Sequence, residues 1–179
     1  MSTSESHERI SGFAPVIGIR PRVLILGSMP GVASLNAREY YAQSRNAFWP
    51  IMGELFGADF TLPYRQRLEV LKKSRIALWD VLESCVRPGS LDSAIDARSV
   101  AANDFGRIFA NHPTIGRVFF NGKKAAAMYR RCVLSISEFY GRDIAARTLP
   151  STSPAHAAMP FAAKLAAWSV VREAVTEDE

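Results

Sequence analysis

Residues 40 to 49 read Tyr-Tyr-Ala-Gln-Ser-Arg-Asn-Ala-Phe-Trp, the densest mixture of aromatic and polar side chains in the chain. Aromatic faces stack on nucleobases, and the amide of Asn46 offers a donor and an acceptor on one rigid group. The same residues suit a helix entry, with Phe48 and Trp49 as core anchors and Asn46 as a cap. A second segment, Gly27-Ser28-Met29-Pro30-Gly31, has the composition of a tight loop. Its backbone N–H groups could let a base or phosphate approach closely, although any strand-exit turn reads alike. A third segment, Leu149 to His156, sets the hydroxyls of Ser151, Thr152 and Ser153 between two prolines. Such a stiff loop fits a phosphate or the start of a helix, and hydroxyls at helix N-termini serve both.

Other constellations are weaker. Asn121-Gly122-Lys123-Lys124 is not a phosphate loop, because Arg117 stands where the Walker pattern needs Gly and Lys124 where it needs Ser or Thr. Lys123 is left as a phosphate contact near a helix start. An acyl-hydrolase triad of Ser28 or Ser153, His156 and Asp80 lacks the Gly-x-Ser-x-Gly elbow. His7, His112 and His156 are far apart and have no Cys or paired carboxylate at ligand spacing, so no metal and no cofactor are expected.

The elements that must carry these residues follow from apolar patterning. Arg22–Ser28, Ile76–Val81, Arg117–Gly122 and Ala145–Pro150 are short runs that stop at Gly or Pro, the mark of buried strands. Helical spacing appears from Phe48 to Phe56, around Leu68 and Leu71, over Phe105–Phe109, from Ala125 to Leu134, and from Phe161 through Trp168 to Val175. Strands alternating with helices predict an α/β fold: three layers, α/β/α, around a central, mostly parallel four-stranded sheet. Ligands of such sheets bind at the carboxyl ends of the strands. That rule gathers Gly27–Gly31, Asp80 onward, Asn121–Lys124 and Ser151–His156 around one crevice.

Composition bounds the answer. The 179 residues, 48% hydrophobic and 22% charged, suffice for one domain with a full core. Residues 1–12 and 176–179 read as flexible tails around a single domain, 13–175. No apolar run approaches the ~18 residues of a membrane span, and no signal-peptide core follows Met1 to Arg9. With Cys85 and Cys132 alone there is no disulfide framework, and the cytoplasm is the expected compartment. A net charge of +5 and a pI near 9.5 permit a polyanionic partner without requiring one.

Taken in order, the Gly-rich first loop, the aromatic-x-x-x-x-Asn-x-Phe-Trp stretch, Leu78-Trp79-Asp80, Asn-Gly-Lys-Lys-Ala from Asn121 and the Ser-x-Ser-Pro loop at Ser151 resemble the uracil-DNA glycosylase superfamily. The resemblance covers roughly residues 20 to 172. Many members of that superfamily carry Asp, Asn or Glu in the first loop, where this chain has Ser28-Met29-Pro30. In lacking that group the chain is similar to the hypoxanthine-DNA (deoxyinosine) glycosylase branch. The resemblance implies hydrolysis of the N-glycosidic bond of a flipped, deaminated base: hypoxanthine, with uracil or xanthine as further candidates. It implies a catalytic Asn46, base contacts from Gly27, Ser28, Met29, Tyr41 and Asp80, and backbone contacts from Ser151, Thr152, Ser153, His156 and Lys123. A wedge would fall near Ala155 or His156, or come from Met159. DNA containing a deaminated base is the implied partner of a monomeric enzyme. A mismatch-specific uracil glycosylase and a DNA-binding module without catalysis are the alternatives.

Overall fold

The computed structural model describes residues 8–133 and 144–176. Along the chain run β1 (Arg9–Ser11), β2 (Val23–Gly27), α1 (Val32–Ala37), α2 (Phe48–Phe56), α3 (Tyr64–Lys73), β3 (Ile76–Asp80) and β4 (Leu82–Val86). A 3₁₀ turn (Asp92–Ala94), β5 (Ala101–Ala102), α4 (Phe105–Asn111), β6 (Arg117–Asn121), α5 (Lys123–Cys132), β7 (Ala145–Leu149), α6 (Phe161–Trp168) and α7 (Val170–Thr176) follow.

The four expected strands form one parallel sheet in the order β3-β2-β6-β7. Its two faces are covered by different helices, because side chains alternate across a pleated strand. Leu24, Leu26, Ala77, Trp79, Val118 and Phe120 pack with Phe105 and Phe109 of α4 and Met128 and Tyr129 of α5. Val23, Ile25, Ile76, Leu78 and Phe119 pack instead with Trp49 and Met52 of α2, Leu71 of α3, and Trp168 and Val171 of the C-terminal helices. Two strands with wholly buried side chains, β2 and β3, and a third buried at its centre, β6, lie between two helical layers and confirm the three-layer α/β/α architecture.

Several details depart from the sequence patterns. Arg9–Ser11, expected within a flexible tail, form β1 and pair antiparallel with Val86–Ser84 of β4. With β5 on its other side, β4 makes a small antiparallel sheet that the patterns did not predict. The stripe from Phe161 to Val175 is two helices. Its break is at Ser169, whose hydroxyl donates to Ala166 O at 2.8 Å and so competes with regular helix bonding. The fifth helix ends at Cys132, and Leu134, its expected end, lies outside the described residues. Residues 1–7 and 177–179 of the expected tails lie outside them as well.

Indole N–H groups tie loops to this core. Trp49 donates to Tyr40 O at 2.8 Å, Trp79 to Phe13 O at 3.0 Å, and Trp168 to Pro150 O at 2.9 Å. The last of these holds the exit of β7 against α6. Trp168→Ala is expected to destabilise the fold by about 3–5 kcal/mol through the cavity it leaves. Trp168→Phe, which loses chiefly the Pro150 bond, should cost nearer 1 kcal/mol. Urea unfolding of the two variants measures the difference.

Candidate active site

At the carboxyl ends of the strands a cavity of about 740 Å³ opens, and its walls come from every segment the crevice rule gathered. Gly27, Ser28, Met29, Tyr41, Asn46, Asp80, Ser151, Thr152, Ser153 and His156 all line it, together with Asn121 and Asp92. Of the expected site residues Lys123 alone is absent from the wall; it is exposed on the first turn of α5.

Asn46 does two jobs at once. Its Oδ1 accepts from Phe48 N at 2.9 Å, a turn bond just ahead of α2, whose N-cap is Ala47, and this fixes which end of the amide is oxygen. Its Nδ2 has no hydrogen-bond partner among the described residues, although the residue is 9% exposed and lines the cavity. The cap expected at Asn46 falls instead on Ala47; Asn46 makes the turn that leads into it, and that bond uses the end of the amide opposite the one left to the cavity.

Tyr41 lies beside it with φ +56, in the left-handed region that a tyrosine enters at a cost of roughly 1–2 kcal/mol. One face of its ring stacks on Phe48, with centroids 4.1 Å apart. Its hydroxyl is buried without a partner. Burial, and then the charge of Asp80, push that phenol above the ordinary tyrosine range, while the Asn121 amide acts in the opposite sense. The phenol therefore stays neutral.

Asp80 ends β3 and is 3% exposed, with Oδ2 unpartnered. Burial pushes its carboxyl up to about 7, the Asp92 charge adds to the rise, and the Arg87 guanidinium opposes it. Gly27, directly across the β2–β3 ladder, is what leaves room for this group. A Cβ there would overlap Asp80 Oδ1 and stand 3.0 Å from Tyr41 Oη. Phenol and carboxyl thus converge over a backbone position that admits no side chain.

The final loop is held from below. Asn121 Nδ2 donates to Thr152 Oγ1 at 2.8 Å, Asn121 Oδ1 accepts from Thr152 N at 2.9 Å, and Thr152 O accepts from Ala47 N at 2.9 Å. Thr152 was expected at the DNA backbone, but its side chain is buried (1% exposed) and committed to Asn121. It positions the loop, and Ser151, Ser153 and His156 remain the groups at the rim. Met29 lines the cavity too, but it is buried among the apolar residues of the core. Lys164 Nζ donates to His156 O at 2.8 Å and anchors the end of the loop to α6. Of the wedge candidates, Ala155 and His156 are exposed at the cavity and Met159 is outside its wall.

Sequence patterns brought Asn121 to the crevice without giving it a role, and they missed Arg87 and Asp92. Asn121 ends a recognised strand, and the position alone was a usable signal. Arg87 and Asp92 flank a Pro-Gly-Ser turn with no regular period, and nothing in the sequence predicts that they meet the first loop. The acyl-hydrolase triad does not assemble: Ser28 Oγ donates to Asp92, and the His156 ring bonds neither serine nor Asp80 among the described residues. Among the described residues no group of three His, Cys, Asp or Glu could hold a metal, and no helix is long and apolar enough to cross a membrane.

Because the native carboxyl of Asp80 titrates near 7 and an unfolded aspartate near 3.8, the native state binds the extra proton between those values. Stability should therefore fall as pH rises through that window, by on the order of a few kcal/mol in total. Asp80→Asn should abolish this loss, raising the melting temperature over the parent at pH 8 far more than at pH 5. Parallel thermal melts at the two pH values check it, and equal shifts would place the carboxyl in water.

Comparison with known proteins adds three findings. The family model for the uracil DNA glycosylase superfamily matches residues 14–172. Proteins called hypoxanthine DNA glycosylase from Methanosarcina barkeri and Methanosarcina acetivorans are 39% and 36% identical over 115 residues, which is 64% of this chain and 72% of each relative. A solution NMR structure of a Methanosarcina acetivorans protein, provisionally assigned as a uracil DNA glycosylase, is 30% identical and superposes with a TM-score of 0.76 over 94% of this chain and 99% of that one.

Proposed function

The chain belongs to the uracil DNA glycosylase superfamily, and from that membership we propose that it is a monofunctional DNA glycosylase of base excision repair. It hydrolyses the N-glycosidic bond of a flipped deaminated base, hypoxanthine before uracil or xanthine, and leaves an abasic site. The names of the Methanosarcina relatives support the choice of base. The observation that carries the reading is Asn46: a buried amide whose oxygen is fixed by Phe48 N and whose NH₂ is left to the cavity.

The chemistry follows from what each group can do. The target bond lies inside a duplex, so the nucleotide must leave the stack, and a mispaired base costs least to extrude. Ser151, Ser153 and the basic surface hold phosphates beside the mouth of the cavity. The exposed part of Tyr41 stacks on the extruded ring, its opposite face being backed by Phe48. Asp80, at the bottom, accepts a ring N–H on the unpartnered Oδ2. As the glycosidic bond stretches, negative charge gathers on the departing base and positive charge on the sugar. Asn46 Nδ2 donates to the base and stabilises the first of these charges, in the manner of a preorganised oxyanion donor. A cationic sugar then needs only a well-placed water. All of these groups come from one chain, which suits a monomer acting alone on DNA.

Asn46→Ala is expected to bind inosine-containing duplex within a few-fold of the parent and to excise about 100- to 1,000-fold more slowly. Tyr41→Ala should weaken binding by roughly 1–3 kcal/mol. The measurement is a panel of labelled oligonucleotides, one damaged base in each, cut at abasic sites by hot alkali. Binding without release of any base would turn the assignment into a DNA-binding module.

A further inference from the structure

The loop that crosses over Gly27–Gly31 carries a carboxylate that the first loop itself lacks. Ser28 Oγ donates to Asp92 Oδ2 at 2.5 Å. Val32 N donates to Ser90 Oγ at 2.8 Å, so the two loops are joined on both sides of Pro30. Beneath them Arg87 is buried to the end of its side chain. It donates to Pro30 O at 2.5 Å and Gly89 O at 2.8 Å, and its Nη1, which has no hydrogen bond, lies 3.8 Å from Asp92 Oδ1. At that distance the guanidinium does not bond the carboxylate, but its charge favours the ionised form of Asp92.

We propose that Asp92 is the catalytic carboxylate of this enzyme, delivered to the first loop from a segment some sixty residues away. The assignment rests on the glycosylase reading given above. Asp92 lines the same cavity as Asn46 and Asp80, and its side chain is 31% exposed there, whereas Asp80 is almost wholly enclosed. Asp80 lacks a partner on Oδ2 and readily keeps its proton, which fits a base contact better than a base catalyst. Asp92 has supports for its charge: the Ser28 hydroxyl, Arg87 and, farther off, Lys124 counter the burial that raises its proton affinity. The Asp92 charge in turn favours the protonated form of Asp80.

In the reaction the C1′–N9 bond breaks and its electron pair leaves with the base, whose charge Asn46 steadies. The sugar cation forms on the side facing Asp92. Water adds its oxygen to C1′, its proton passes to the Asp92 carboxylate, and the carboxylate returns that proton to solvent. The departing base takes a proton from solvent. Atoms and charge balance with water as the only co-reactant.

The test is single-turnover excision of hypoxanthine from a labelled duplex between pH 5 and 9, with binding and thermal melts alongside, for the parent, Asp92→Asn and Asp92→Ala. Asn keeps an acceptor for Ser28 and Ala does not. A catalytic carboxylate predicts that both variants excise at least 100-fold more slowly, bind DNA within about threefold of the parent, and lose the rise in rate with pH that the parent shows on its acid limb. A mere strut predicts an Asn variant near the parent rate with the parent pH profile and an Ala variant that is slower and less stable, and that result would overturn the assignment. A parent enzyme that releases no base from any substrate in the damage panel would overturn the glycosylase reading first, and this assignment with it.

Discussion

One buried threonine joins the three segments on which the site depends. Thr152 spends its N–H and its Oγ1 on the Asn121 amide and its carbonyl on Ala47 N, at 2.8–2.9 Å each. Through these bonds the end of β6, the turn into α2 and the loop after β7 become one rigid rim. Asn46 sits one residue from the bonded Ala47, and Ser151 and Ser153 flank Thr152. The Asn46 amide and the Ser151 and Ser153 hydroxyls, which the proposed function assigns to the base and the DNA backbone, therefore keep a fixed relation, as a reaction limited by orientation requires. Gly122 completes the arrangement: at φ +95 it donates to Leu149 O at 3.0 Å, and a Cβ there would press to 2.9 Å from Ser151 Cβ.

Against this rigid rim the floor of the cavity is electrostatically tense. Burial raises the proton affinity of two carboxylates, Asp80 and Asp92, and the Asp92 charge raises that of Asp80 further. Arg87 relieves the tension for each but bonds neither at hydrogen-bond distance; its nearest carboxylate oxygen is 3.8 Å away. Like charges in one low-dielectric pocket drift apart in proton affinity. The more enclosed one, Asp80, takes up the neutral form near pH 7, and the one with a hydroxyl and a guanidinium at hand stays ionised more easily. Two acids of one type thereby acquire different tasks.

The sheet was legible because its four strands are short apolar runs with polar exits, and the crevice followed from their carboxyl ends. Helix α2 was legible from Phe48, Met52 and Leu55, and Asn46 from its place before Phe-Trp. What escaped had no period to read. Leu82–Val86 is separated from Ile76–Asp80 by Val81 alone, so two strands of different sheets look like one run. Ala101–Ala102 is too short to show alternation. The burial of Thr152 and Arg87 is a tertiary outcome, and each reads as surface from its residue type. Asp92 reaches the first loop through a hydrogen bond that spans 64 positions.

Folding leaves two polar groups unsatisfied among the residues that the proposed function assigns to the base. Tyr41 Oη and Asp80 Oδ2 are buried without partners, and each such vacancy costs about 1–3 kcal/mol in a protein that needs only to fold. Tyr41 adds the cost of its left-handed backbone. These terms are tolerable because Trp49, Trp168 and Phe48 bury large rings directly beneath, so the core stabilises a surface that is not at its own minimum. On the proposed function, a planar base with ring N–H and carbonyl groups that enters between Tyr41, Asp80 and Asn46 would bring hydrogen-bonding groups toward the orphaned atoms and a face to the phenol. Water, small and mobile, offers less to a ring. The discrimination for an extruded base over solvent is thus prepaid in the fold, at the one place where the sheet's strands end and Gly27 leaves the room for it.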